Sequence, residues 1–166
     1  MEAVLCATCG KSHEGLALEF GPEAPDPWFN IPELDRFKRA SLSRERCVLD
    51  SKHCFVRGCI DLPILGSEDF FTWLVWVSLS NANFERTSGL METRGRESEP
   101  PYFGWLSTRL PGYPDTWLLK TNVYTNPVGV LPSVVLEPNG HPLAVEQQDG
   151  ITRERARELV GRALHG

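Results

Sequence analysis

Apolar and polar positions alternate with period two through Cys54-Phe-Val-Arg-Gly-Cys-Ile-Asp-Leu62. Val56, Ile60 and Leu62 share one face, and Arg57, Cys59 and Asp61 share the other. This predicts a strand, with Cys47-Val-Leu-Asp50 as its hairpin partner and Asp50-Ser51-Lys52 at the turn. Phe70 to Leu79 is apolar on both faces and predicts a central strand covered on both sides. Further strands are expected near Tyr102–Leu106, Trp117–Tyr124 and Ser133–Glu137. Helical spacing places Ala156, Leu159, Val160, Ala163 and Leu164 on one stripe behind Thr152 as N-cap. Ser80 to Met91 reads as a helix capped by Ser80. Ile31 to Leu42 reads as a modest helix with Pro32 near its start and Leu34 and Phe37 on one face. Strands in the middle with helices toward the ends indicate the α+β class, an antiparallel or mixed sheet flanked by helices.

The chain has 166 residues, enough for one domain burying roughly 70% of its unfolded surface. The expected layout is an N-terminal metal knuckle at 1–20, a sheet core at 47–137 and a C-terminal helix at 152–165. The net charge of -5 disfavours general adhesion to nucleic acid or anionic lipid. Phe70 to Val77, the most apolar stretch, is too short to span a bilayer, so no membrane partner is expected. Met1 to Cys6 lacks the basic and apolar regions of a secretory signal, which points to the cytoplasm. Five cysteines, two of them in a C-x-x-C pair, fit a reducing compartment and metal binding better than disulfides.

Cys6-Ala-Thr-Cys-Gly-Lys-Ser-His13 concentrates ligand-type side chains before any periodic segment begins. Cys6 and Cys9 at this spacing, with Gly10 after them, can turn both thiolates toward one ion, and His13 is near enough to add a nitrogen. Zinc is the expected occupant. A tetrahedral structural site needs a fourth ligand, with Cys47, His53, Cys54 and Cys59 as candidates. Cys47 is preferred because it falls between the first helix and the hairpin, where a link to the N-terminus would staple the arm.

Alternation also puts Lys120, Asn122 and Tyr124 on one face of their strand. If that face coincides with the Arg57/Asp61 face, a polar patch results, with Glu137, His141 and Glu146 at its rim. Such a patch suits a ligand site or acid/base chemistry, and it equally suits an ion-pair network on a solvated sheet. The five tryptophans fit an apolar core better than a pocket lining. Glycines at phosphate-cradling spacing, a nucleophile elbow and H-E-x-x-H are all absent.

The string of segments resembles the bacterial family catalogued as domain of unknown function 2199. The matching stretches are Cys6-x-x-Cys-Gly-x-x-His13, Cys47-x-x-Asp50, Phe55-Val-Arg-Gly58, Trp76-Val-Ser-Leu-Ser80, Asn83-Phe84, Pro101-Tyr-Phe-Gly-Trp-Leu106, Leu119-Lys120, Leu136-Glu-Pro138 and His141-Pro-Leu-Ala-Val-Glu-Gln147. The resemblance implies no activity. The chain departs from the family's pattern in two places. His53 and Cys54 stand where an acidic residue and an aromatic are expected, and Tyr124 stands where histidine is expected.

The expected function is therefore a zinc-stabilised domain that binds a small molecule or a protein partner. One alternative is a small enzyme using an open zinc site of Cys6, Cys9, His13 and water, or the Arg57/Asp61/Lys120/His141 patch. Another is a thiol sensor in which Cys6 and Cys9 oxidise and release metal.

Overall fold

The computed structural model describes residues 18–166. The expected knuckle, with Cys6, Cys9 and His13, lies outside the described residues. The chain begins with β1 (Glu19–Phe20), a short helix α1 (Asp26–Phe29), a 3-10 turn at Glu33–Asp35 and a second short helix α2 (Arg36–Arg39). It then enters β2 (Ala40–Leu42), β3 (Arg46–Leu49), β4 (His53–Pro63) and β5 (Phe70–Leu79). Helix α3 (Asn81–Gly89) precedes β6 (Tyr102–Leu106), β7 (Lys120–Tyr124) and β8 (Ser133–Leu136), and helices α4 (Pro142–Asp149) and α5 (Arg153–His165) follow.

The fold is mixed α+β, and its sheet closes on itself. β4 pairs with β5, then β6, β7 and β8 follow antiparallel, and β8 returns to β4 in a parallel contact at Cys59↔Ser133. Cys59 N–H donates to Pro132 O at 2.9 Å across that closure. Outside the five-strand ring, β3 and β2 continue from β4, and β1 adds in parallel to β5.

Period-two alternation fixes what the ring encloses. Val56, Ile60 and Leu62 of β4 join Phe71, Trp73, Val75 and Val77 of β5 in one buried cluster. Leu106, Val123 and Val134 of the other strands complete it, and Leu143, Leu159 and Val160 bring α4 and α5 onto it. Each such fully buried side chain contributes roughly 1.5–3 kcal/mol over an exposed one. The opposite face of β4 and β5 carries a second cluster, Ile31, Cys47, Leu49, Phe55 and Trp76, with Trp28 packed against it.

Local chemistry sets the element ends. Asp50 and Ser51 adopt φ of 50° and 57°, as a tight hairpin turn requires at both central positions, and Lys52 N–H donates to Leu49 O. Ser80 Oγ accepts from Asn83 N–H, and Thr152 Oγ1 from Arg155 N–H, so both expected N-caps are in place. The expected helix over Ile31–Leu42 is only a 3-10 turn and one turn of α2. Beyond Arg39 the backbone pairs with β3 instead, in the register Ala40↔Leu49. Leu34 and Phe37 are consequently 92% and 94% exposed rather than packed.

Candidate functional site

A cleft of about 440 Å³ opens on the outer side of the β3–β4 hairpin. Its walls include Ile31, Leu49 and Phe55 from the second cluster, together with Trp117 and Leu118 from the segment between β6 and β7. Polar groups join them: Asn30, Arg39, Asp50, His53, Ser78 and Ser107. Size and composition match the usual small-molecule site, an apolar concavity with a few fixed polar groups.

Each wall is held by an identifiable interaction. Arg39 donates to Asp50 through Nε at 2.9 Å and Nη2 at 3.1 Å, a bidentate pair at the cleft edge. The hydrogen bonds from Arg39 hold the Asp50 carboxyl below the usual aspartate range. Trp117 is backed by Arg109, whose guanidinium lies 4.6 Å from the ring centroid and is itself held by Asp26 at 3.3 Å and Asp115 at 3.5 Å. Burial of the Asp26 carboxyl pushes its pKa up, against the opposing pull of Arg109.

Leu118 adopts φ of 62°, a left-handed conformation that costs a leucine roughly 1–3 kcal/mol. Its N–H donates to Leu106 O at 2.8 Å, and Leu106 N–H donates to Leu119 O at 2.9 Å. These bonds tie the strained residue to the end of β6, while its side chain stays 47% exposed in the cleft wall. Strained backbone of this kind tends to gather at ligand sites.

The residues expected to form a polar patch occupy separate places. Arg57 and Asp61 do share the outer face of β4, but Lys120 is on β7, which is not a neighbour of β4. Arg57 pairs across to Trp76, whereas Lys120 pairs with Trp105. Side chains on the outside of a closed ring diverge, so the coincidence of faces that a flat sheet would allow does not arise. Arg57 donates from Nη2 to Pro22 O, and Asp61 accepts from Thr72 Oγ1 at 2.6 Å.

His141 is the N-cap of α4. Its Nδ1 accepts from Leu143 N–H at 3.1 Å, which places the proton on Nε2, 3.2 Å from the carbonyl oxygens of Pro114 and Asp115. Glu146 accepts from the Tyr113 hydroxyl at 2.6 Å and from Arg155 Nε at 2.7 Å, joining α4 to α5. Burial, reinforced by Glu146, pushes the Tyr113 hydroxyl above the usual tyrosine range. Both residues thus serve the fold around α4 and stand apart from Arg57 and Lys120.

Cys47 sits 1% exposed among Ile31, Leu49, Phe55 and Trp76, and burial raises its thiol pKa to about 11. Of the other fourth-ligand candidates, Cys54 Sγ lies 3.4 Å from Asn81 Oδ1, the Cys59 thiol is pushed up to about 11 by burial, and His53 lines the cleft. Among the described residues, no three His, Cys, Asp or Glu side chains converge as a metal site.

The sequence reading leaves Arg39 unremarked, takes Asp50 as a turn residue only, and places Trp117 and Leu118 within a strand. The available signal was Asp50-Ser51, a hairpin turn without glycine; Leu118 carries none. No helix of the described residues is long and apolar enough to cross a membrane. No curated protein and no solved structure matches the chain. A family model described as "Uncharacterized protein conserved in bacteria (DUF2199)" matches residues 5–151, and the chain belongs to that family.

Proposed function

We propose that this chain is a small-molecule-binding domain whose ligand occupies the cleft between the β3–β4 hairpin and the Trp117-Leu118 segment. The observation that carries the reading is the 440 Å³ concavity with a strained leucine held in its wall. Trp117 and Phe55 suit a flat apolar or aromatic body, while Asn30, His53 and Ser107 suit its polar substituents. The Arg39–Asp50 pair satisfies its own charges, so the ligand needs no formal charge to bind there.

A ligand-observed NMR screen of small aromatic amides and alcohols tests this. Hits are expected to lose at least about tenfold in affinity on Trp117→Ala, equivalent to 1.4 kcal/mol, and to be unaffected by Lys120→Ala. A screen whose hits ignore Trp117→Ala and His53→Ala sinks the reading.

We also infer, from the sequence, that Cys6, Cys9 and His13 hold one zinc ion that stabilises the domain. Cys47 remains the proposed fourth ligand, although burial favours its thiol over the thiolate that zinc requires. Elemental analysis of protein purified without added metal should give about one zinc per chain. Cys6→Ser or Cys9→Ser should abolish it and Cys54→Ser should not, while Cys47→Ser reports on the fourth ligand. Folded, reduced protein with a ratio near zero would refute the site.

A further inference from the structure

Among the described residues, Leu34 and Phe37 are the two most exposed large apolar side chains, and almost nothing of either is covered. They sit three positions apart on one helical stretch, in which Arg36 N–H donates to Glu33 O and Ala40 N–H to Arg36 O. That spacing puts both on the same face. The opposite face is anchored. Arg36 donates from Nε to Ile31 O at 3.1 Å and sets its guanidinium 4.0 Å from the Trp28 ring centroid, while Arg39 holds Asp50 through Nε and Nη2. These contacts fix the stretch against the domain, so the two apolar knobs stand at a set position and spacing. Presentation of this kind removes much of the ordering cost of association. Single apolar residues scattered on a surface need no explanation, but an adjacent pair held clear of the domain marks a contact surface.

The charges beside the pair select the occupant. Helical spacing sets Asp35 and Lys38 along one border of the apolar face, the acid nearer its start and the base nearer its end, with Glu33 also at the acidic end. None of these three forms an ion pair among the described residues. Acid at one end and base at the other complement the same stretch run in the opposite direction. A second copy related by a two-fold axis meets that condition, since each chain then offers the other the identical patch. In this arrangement Leu34 of each chain packs on Phe37 of the other, and Asp35 of each lies level with Lys38 of the other. An anionic lipid surface fits worse, because Glu33, Asp35 and a net charge of -5 oppose it.

We propose that the Leu34/Phe37 face is a self-association surface, on which two copies of this chain meet antiparallel through residues 33–38. Four apolar side chains form its centre, so the dimer belongs to the weak, reversible class that buries less than about 1,200 Å². Arg39 enters the Trp117 cleft from the other side of the stretch, and neither Leu34 nor Phe37 lines that cleft. Failure of the ligand reading therefore leaves this one standing.

Sedimentation equilibrium of the full chain over a concentration series tests it. A monomer–dimer equilibrium is expected, with the dissociation constant raised at least about tenfold by Phe37→Ser or Leu34→Ser. Lys38→Asp should also weaken the dimer, and adding Asp35→Lys, which reverses the charge order but keeps it complementary, should restore it. Should a variant fail to fold, isotope-filtered NMR on mixed labelled and unlabelled unsubstituted chain reads the contact directly, as Leu34 methyl groups against the Phe37 ring of the other copy. A chain that stays monomeric up to its solubility limit overturns the proposal, as does a dimer indifferent to both serine variants. A double variant no tighter than Lys38→Asp, or a dimer without the Leu34–Phe37 contact, overturns it equally. So does a monomer that co-sediments with phosphatidylserine vesicles through Phe37, since the face would then belong to a membrane.

Discussion

Gly58→Ala is expected to destabilise the domain by about 3 kcal/mol, the upper end of what one added methyl costs in a packed interior. Gly58 faces into the ring beside the closure between β4 and β8. A Cβ there would meet Val134 Cγ2 at 2.6 Å and Pro132 O at 2.9 Å. The valine can turn aside, but Pro132 O accepts the closing hydrogen bond from Cys59 N–H and cannot move without losing it. Relief of the clash therefore has to separate β8 from β4, where the register holds only one pair, Cys59↔Ser133. Urea denaturation followed by tryptophan fluorescence measures the loss. Gly89→Ala is the control, since a Cβ at that end of α3 meets nothing within 4 Å, and it should be neutral or slightly stabilising. Equal stabilities of the two variants would mean that the closure is looser than the structure has it.

That closure separates what was legible in the sequence from what was not. The β3–β4 hairpin, the doubly covered β5 and the caps of α3 and α5 all rest on local signals: alternation, a continuous apolar run, and Ser80 or Thr152 before a helical stripe. The parallel contact between β4 and β8 joins residues 74 positions apart and leaves no periodicity in either strand. Alternation correctly separated Arg57, Cys59 and Asp61 from the inward residues. The inference failed at the next step, because a shared outer face is a patch on a flat sheet and a set of diverging directions on a ring.

Helix α4 was missed for a different reason. It is eight residues long, buries only Leu143 and Ala144, and announces itself through a histidine N-cap followed by Pro142 rather than through a stripe. Over Ile31–Leu42 the apolar spacing of Leu34 and Phe37 was real, yet pairing with β3 claimed the backbone from Ala40 onward. Of the cleft, the hairpin side was partly visible in the turn at Asp50. The other side depends on Leu118, whose positive φ follows from bonds to Leu106 that no local pattern encodes.

The segment that carries that side, 107–119, has no strand or helix of its own, so two threonine hydroxyls take over the backbone bonding that a sheet would supply. Thr108 Oγ1 accepts from Trp76 N–H at 2.9 Å, in the middle of β5. Thr116 Oγ1 accepts from Leu110 N–H at 3.0 Å and donates to Thr108 O at 2.8 Å. Both threonines are 1% exposed, so water cannot replace either hydroxyl without an opening of the segment.

Thr116→Val keeps the shape and removes the hydroxyl, leaving a buried N–H and a buried carbonyl unpaired. A loss of about 2–3 kcal/mol is expected, whereas Thr116→Ser, which keeps the oxygen, should lose only about 1 kcal/mol for the missing methyl. Thr108→Val should cost about 1–3 kcal/mol through the orphaned Trp76 N–H. Because Thr116 also binds Thr108 O, the double variant should depart from the sum of the singles, and a double-mutant cycle reads that coupling directly. The same hydroxyls support Trp117 and Leu118, so Thr116→Val, under conditions where it remains folded, should also weaken the ligands found for the cleft. Full stability in Thr116→Val would show that the hydroxyl relay does not hold this wall. Lost stability with unchanged ligand affinity would instead uncouple the wall from the binding site and count against the cleft as the place where ligand sits.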